Sequence, residues 1–432
     1  MHRGPKKPIS PASLIDSIYR VFSSIKKIRK KSKASITQVD HLMTGLAVFG
    51  LKCPSLLQYD NERYSNPIRE NLRNLYHVET PPCDTYLRES LDEIDPNLLR
   101  PAFTKLFAQL QDHGYLAQFQ YIEGHYLVSI DGTGEFSSSK VCCEHCCKKE
   151  HKNGSVTYYH QMLGACLVHP EISQVIPLCP EAIINIDGNV KNDCERNAAK
   201  RFMEKFRKEH PFLKVIVVED SLASNAPHLQ LLESYKMKFI IGAKRGDHKH
   251  LFQQLDDSKE VQYYEIHDDK GSLHQFHFLN GLELNKSNPD FKVNLIEYME
   301  TLPNGKEIKF SWVTNFTINR ENIYKLMRGG RARWKIENET FNTLKTLGYN
   351  FEHNFGHGKK YLASVFSLLM VLAFFIDQIQ ALLCDCFKIA RSSQRTFRTL
   401  WEVMRAFFSH IILESWDQFY KLLGKKLYLN TS

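Results

Sequence analysis

The sequence predicts an α/β protein, a mixed sheet covered by helices and flanked by helical stretches at both ends. Three observations predict it. Between about residues 118 and 246, three strand-like runs are followed by helix, strand, helix and strand, an order that suits a mixed sheet with helices on its faces. From 247 to 315, polar and apolar residues alternate with the period of two that marks β structure. Outside these limits the apolar spacing is helical.

The first 117 residues carry "SPASLIDSIYRVFSSIKKIRKKS", a helix with a basic face from Lys26 to Lys33. "QVDHLMTGLAVFGLKCPSLLQYD" reads as a second helix, and "ETPPCDTYLRESLDEI" as a third, capped near Asp84 after a proline break. "DPNLLRPAFTKLFAQLQDHG" is a helix that ends at Gly114. A small basic helical region of this kind either binds DNA or serves only as a packing module. "QYIEGHYLVSIDGTGEFSSS" is a strand ending in Asp131 and a glycine-rich turn. "TYYHQMLGACLVHP" and "SQVIPLCPEAI" continue it as an antiparallel meander. "NDCERNAAKRFMEKFRKEHP" is a helix with Asn192 or Asp193 as N-cap. "LKVIVVEDSLASNAP" is a buried central strand ending at Asp220. "APHLQLLESYK" is a helix and "KFIIGAKRGD" a strand. In the alternating stretch, turns fall at "DDKGS" and at "LPNGK", whose Asn-Gly pair favours a hairpin. After "NREN" the chain is helical to its end.

The 432 residues carry a net charge of +9, which is compatible with a polyanionic partner and equally with a solvated basic surface. The start has positive charge with no apolar run behind it, so no secretory leader is expected. "YLASVFSLLMVLAFFIDQIQALLC" is interrupted by Asp377 and Gln378 before it reaches the roughly 20 apolar residues of a membrane span. A buried core helix, and no membrane partner, is the expectation. Eleven cysteines, several clustered, point to free thiols or metal ligands in a reducing cytoplasm.

Asp131 and Asp220 end separate strands, and "RARWKIENETFNTLK" offers Glu337 and Glu339 on a helix. Three carboxylates on separate elements form a set suited to a two-metal phosphoryl-transfer site with Mg²⁺ or Mn²⁺. At about 100° per residue, Glu337 shares a face with Trp334, Phe341 and Leu344, and Glu339 points about 160° away. A carboxylate on an apolar face needs a partner. Arg333, four residues earlier, could be that partner, and metal binding with Asp131 and Asp220 is the favoured alternative. Arg333 and Lys345 flank the same face and could hold DNA phosphates. Lys244, Arg245 and Lys249 form a basic loop that is either a solvated turn or a DNA contact. Ser221, Ser224 and Asn225 are candidate supporting or capping residues, and Glu219 should face away from Asp220.

With these residues the chain resembles the DDE transposases of bacterial insertion sequences, in the insertion-sequence-4-like group. The resemblance spans about residues 120 to 365. It implies a ribonuclease-H-like core in two parts, 118–246 and 316–365, interrupted by a β-rich insertion at 247–315. An N-terminal helical DNA-binding region (1–117) and a C-terminal helical region (366–432) flank that core. Asp131, Asp220 and Glu337 lie about 90 and then about 115 residues apart, which accommodates this arrangement. The group's signature is Tyr, two residues, Arg, three residues, Glu, six residues, Lys. Arg333 and Glu337 match it, Gly330 stands in place of the Tyr, and Lys345 comes one residue late. "NETF" thus looks like a one-residue lengthening. The resemblance further implies cut-and-paste transposition at terminal inverted repeats, double-stranded DNA as partner, a homodimer in the synaptic complex, and a bacterial, nucleoid-associated cytoplasmic location. Trp312 is expected to be a strand core residue.

"SSKVCCEHCCKKEHKNGSVTYYH" places Cys143 and Cys146 at the spacing of a zinc knuckle, with His151 and His160 to complete a structural Zn²⁺ site. Cys142, Cys147 and His145 are alternatives. His353 and His357 are set aside because Gly356 argues for a loop. Two rival readings are a zinc-stabilised DNA-binding protein without cleavage activity and another ribonuclease-H-like nuclease.

Overall fold

The computed structural model describes residues 9–26, 36–143, 145–184 and 191–424, the side chains of 191–194 excepted. Most of the basic run from Lys26 to Lys33 and the N-cap candidates Asn192 and Asp193 therefore lie outside the described residues and side chains.

The N-terminal region folds as α1 (Pro11–Ser24), α2 (Gln38–Gly50), α3 (Leu56–Glu62), α4 (Asn66–Tyr76), α5 (Asp84–Leu91) and α6 (Arg100–Asp112). Ser10 with Ser13 and Thr37 with Asp40 form reciprocal caps at the starts of α1 and α2. The single helix expected over 38–60 is two. Lys52 takes a left-handed φ of 53°, Pro54 has no N–H to give a continuing helix, and Ser55 caps α3. Asp84 is the first residue of α5 rather than its cap, which is Cys83.

Among the described residues, one mixed sheet of eleven strands runs through the fold. Its strands are β1 (Tyr126–Ser138), β2 (Cys147–Glu150), β3 (Val156–His169), β4 (Ile172–Pro177), β5 (Glu181–Ile183), β6 (Val215–Glu219), β7 (Lys238–Gly242), β8 (Gln262–His267), β9 (Leu273–Glu283), β10 (Lys292–Thr301) and β11 (Glu307–Thr314). The path is β2-β3-β1-β6-β7-β11-β10-β9-β8, with β4 and β5 also on β3. β1, β6 and β7 are parallel, and β3 is antiparallel to β1. Apart from Ser129, residues 127–130, 215–218 and 239–241 are apolar and rich in β-branched types because both faces of these central strands are covered. The alternating stretch does not stand apart. β8 to β11 form an antiparallel meander that joins the edge of β7 through β11.

Helices α7 (Lys191–Glu209), α8 (Ala226–Ser234), α9 (Lys249–Asp257), α10 (Ile323–Arg331), α11 (Asn342–Thr346), α12 (Leu362–Leu383), α13 (Asp385–Ser392), α14 (Phe397–His410) and α15 (Trp416–Gly424) complete the chain. α12 is long and apolar enough to cross a membrane, yet 78% of its apolar window is buried in the fold. It packs against α2 and β4, and its Asp377 pairs with the fully buried Lys52 ammonium. That ammonium also lies 3.9 Å from the Trp401 ring centre. Asn71 Nδ2 on α4 donates to the carbonyls of Phe408 and Ile411 at 2.8 and 2.7 Å. The two ends of the chain thus build one helical body beside the sheet.

His210, after α7, packs its ring on Phe107 and Phe206 at centroid distances of 4.4 and 5.1 Å. Burial, with the nearby Arg100 and Arg207 guanidiniums, depresses its pKa to about 4. Between pH 6.5 and 4 the unfolded chain therefore binds the proton that the folded chain refuses. Stability is fully present above about pH 6.5 and is lost as pH falls through 4. Wild type should lose about 1–3 kcal/mol more than His210→Phe over that window, read from urea unfolding at stepped pH. Parallel pH curves would show that His210 is not protonated on unfolding.

Candidate active site

The parallel register of β1 and β6 pairs Ser129 with Val218, so Asp131 and Asp220 lie level, two residues further along each strand. Asp220 follows the last residue of β6 and caps the next turn, accepting from Leu222 N–H at 2.9 Å. Asp131 differs from expectation. It is not at a strand end, because β1 continues to Ser138 on its antiparallel ladder with β3, with an irregularity between Gly134 and Ser137. Only the pairing with β6 stops before it, which leaves that edge of β1 open beside Asp220.

Glu337 is delivered by residues 332–346. The segment Ile336–Phe341 is a π-helix, in which Asn342 N–H donates to Glu337 O, five residues back. Such a turn holds one residue more than an α-turn. Ser129 Oγ on β1 donates to Arg333 O at 3.0 Å, and Lys335 Nζ donates to Ile172 O at 2.8 Å, fixing this segment to the sheet. Phe341 and Leu344 are buried. Gly164, the partner of Asp131 on β3, makes the close approach possible: a Cβ there would sit 2.6 Å from Phe341 Cε1. Trp334, expected to face inward, is 46% exposed. The backbone around Trp334 is not ideal α-helix, because the N–H groups of Arg333, Lys335 and Ile336 bond three residues back, so angles counted at 100° per residue drift there.

Arg333 Nη1 donates to Asp131 Oδ2 at 3.2 Å and to Glu337 Oε1 at 2.7 Å. Burial, aided by the Glu337 and Asp220 carboxylates and opposed by Arg333, raises the Asp131 carboxyl to about 7. Two acidic groups thus share one guanidinium, and the Asp220 charge acts on Asp131 beside them. An oxygen-donor set with surplus negative charge fits a hard divalent cation. A small cavity of about 60 Å³ is lined by Asp131, Asp220 and Glu195.

Glu195 did not stand out in the sequence. It comes from α7, and a Cβ on Gly132 would lie 2.8 Å from its Oε1. The glycine after Asp131 was the one available signal, since it marks close approach by another group.

From Asp220 a cleft of about 910 Å³ opens along the sheet, lined by Lys244, Arg331, Arg333, Trp312 and Trp334 among others. Lys244 is exposed on its wall. Arg245 is already held by Asp256 and Glu297, with bonds of 2.7 to 3.0 Å, and Lys345 pairs with Glu352 at 3.0 Å. Lys249 begins α9. Glu219 turns away from the carboxylates to His228, 2.6 Å away, and Asn225 caps α8. Trp312 is buried on β11, and its indole occupies the space above Gly330, where a Cβ would lie 2.6 Å from Nε1.

The cysteine cluster closes differently from the expected set. Cys143, Cys146, His160 and His357 bring their ligand atoms within 4.8 Å of one another and could hold a zinc ion. His151 is exposed and bonds Thr157 Oγ1 at 2.7 Å. It sits at the far end of the β2–β3 hairpin, and His357 takes its place.

No protein-family model and no curated protein matches the chain. Among solved structures it is similar to piggyBac transposase in a cryo-EM synaptic complex with hairpin DNA. The identity is 12%, over 97% of this chain and 84% of that one, with a TM-score of 0.39. A likeness of that degree carries no functional argument, which rests on the site itself.

Proposed function

We propose that the protein is a DDE-type transposase that cleaves and rejoins DNA phosphodiesters at the ends of an insertion sequence. The observation that carries this reading is the convergence of Asp131, Asp220 and Glu337, from two strands and a distant helical turn: the Glu337 and Asp220 charges both act on Asp131, and Arg333 bridges Asp131 and Glu337. The strand pattern supports a ribonuclease-H-like core. A first strand bears one Asp, a parallel neighbour ends at the second, and a later helical turn brings the Glu to the arginine that holds the first. The π-turn accounts for Lys345 coming one residue late in the signature, because the extra residue is absorbed within Ile336–Phe341.

Asp131, Asp220 and Glu337 would hold Mg²⁺ or Mn²⁺. The chemistry such ions supply is polarisation of the phosphate and activation of the attacking and leaving oxygens. The chain's own contribution is position. β1 and β6 fix two carboxylates on a rigid sheet, and the Phe341 contact with Gly164 sets the third. Once a cation satisfies the carboxylates, Arg333 is free to turn to a backbone phosphate, with Lys244 further along the cleft.

The test is divalent-dependent cleavage of DNA carrying the element's own termini, comparing wild type with Glu337→Gln and Glu339→Gln. Loss of about 10³-fold in Glu337→Gln alone is expected. Cutting of branched DNA without regard to the termini would favour another nuclease of the same fold. Binding without cutting under every divalent condition would favour a zinc-stabilised DNA-binding protein.

A further inference from the structure

Cys143 and Cys146 lie in the loop after β1, His160 on β3, and His357 almost two hundred residues later, between the Glu337 segment and α12. Their ligand atoms form a compact tetrahedron. Cys143 Sγ is 3.8 Å from Cys146 Sγ and 3.4 Å from His160 Nε2. Cys146 Sγ is 3.6 Å from His160 Nε2 and 3.2 Å from His357 Nε2. Zinc bonds of about 2.3 Å to sulfur and about 2.0–2.1 Å to nitrogen, at tetrahedral angles, require edges of about 3.8 Å between sulfurs and about 3.5 Å between sulfur and nitrogen. The sulfur separation is also far beyond the roughly 2.05 Å of a disulfide.

We propose that Cys143, Cys146, His160 and His357 bind one Zn²⁺, which fastens the segment 347–361 to the hairpin that carries Asp131. Two thiolates and two imidazoles in a tetrahedron select zinc over the hard ions suited to carboxylates. Cys146, His160 and His357 are buried, so the site is closed, as structural zinc sites are. Glu135 of β1 is half-buried and near enough to His160 for their charges to interact.

The segment has little regular structure of its own, and its far end is held by Asp92. That carboxylate accepts the N–H groups of Lys359, Lys360, Tyr361 and Leu362 at 2.9 to 3.0 Å. Gly358 permits this, since a Cβ there would lie 2.3 Å from Asp92 Oδ1. The metal would supply the second anchor, between Asp92 and the Glu337 segment. The inference stands apart from the transposase reading, because its measurements involve no DNA.

The experiment is elemental analysis of the full chain, expressed with zinc and washed with EDTA, joined to X-ray absorption at the zinc edge. Expected are one zinc per chain, a shell of two sulfurs and two nitrogens, loss of zinc in Cys146→Ser and His357→Ala, and full retention in His151→Ala. Stripping the metal with a stronger chelator should speed amide exchange in 347–361 at least tenfold. Zinc-free wild type, or zinc retained at full stoichiometry in His357→Ala, would overturn the proposal. So would a three-sulfur shell, which needs no variant to fold.

Discussion

Replacing Asp131 by asparagine is expected to stabilise the metal-free protein while abolishing divalent-dependent DNA cleavage. Asp131 shares the Arg333 guanidinium with Glu337 and feels the Asp220 charge as well. Its folded-state pKa, near 7, lies above the roughly 3.9 of an unfolded Asp. The folded protein therefore holds this proton more tightly than the unfolded chain, and stability falls as pH rises from about 4 through 7. Above that window the ionised carboxylate costs about 1–3 kcal/mol, discounted for its partial exposure. Asp131→Asn removes the charge and keeps the shape, so the variant should unfold at higher temperature at pH 8 and lose the slope between pH 4 and 7. Divalent ions should reverse the order. Bound at 100 times their Kd they add about 2.7 kcal/mol to wild type, and the variant should gain much less. If Asp131 served only as a structural partner of Arg333, the substitution would destabilise the protein at every pH and magnesium would not separate the two. Thermal unfolding with and without Mg²⁺, beside the cleavage assay, decides between these outcomes.

What could be read from the sequence divides along the range of the forces involved. The central strands were legible because burial on both faces writes apolar, largely β-branched residues into 127–130, save Ser129, and into 215–218. The side on which Glu337 lies followed from helical periodicity over four residues, a local matter. Trp334 was misplaced by the same rule, since the backbone at 332–336 is wound more tightly, with N–H groups of Arg333, Lys335 and Ile336 bonded three residues back, and this breaks the period on which the rule depends. His357 was illegible for a different reason. Spacing favours ligands that are close in sequence, such as His151, and only the packing of 347–361 against the β1–β3 hairpin brings His357 to the cysteines. Lys345 and Arg245 showed the limit of charge as a guide, because each found a carboxylate of its own once the chain folded. Gly330 of α10 has no room for a side chain, because Trp312 of β11 fills the space above it.

The second large effect is expected at a residue that touches no substrate. Gly164 faces Asp131 across the β1–β3 ladder, and the Phe341 ring lies where its side chain would be, with Cε1 and Cζ 2.6 and 2.9 Å from an added Cβ. Phe341 is 5% exposed and cannot swing away into solvent. In Gly164→Ala the methyl must push the ring, and with it the turn that carries Glu337. Overpacking of this kind costs about 1–3 kcal/mol. A catalytic group displaced by about 1 Å can lose about 10²-fold in rate. The expectation is therefore a protein that folds, still binds DNA at the cleft, and cleaves about 10²-fold more slowly. Shortening the ring should relieve the clash. Phe341→Leu alone leaves a gap and lowers stability, but placed on Gly164→Ala it should recover at least part of the lost rate. That gain is a coupling between the two sites that independent effects would not produce. Additive losses in the double variant would mean that the ring does not set the height of Glu337 above the sheet. The position of the third carboxylate would then have to come from the Ser129–Arg333 and Lys335–Ile172 hydrogen bonds instead.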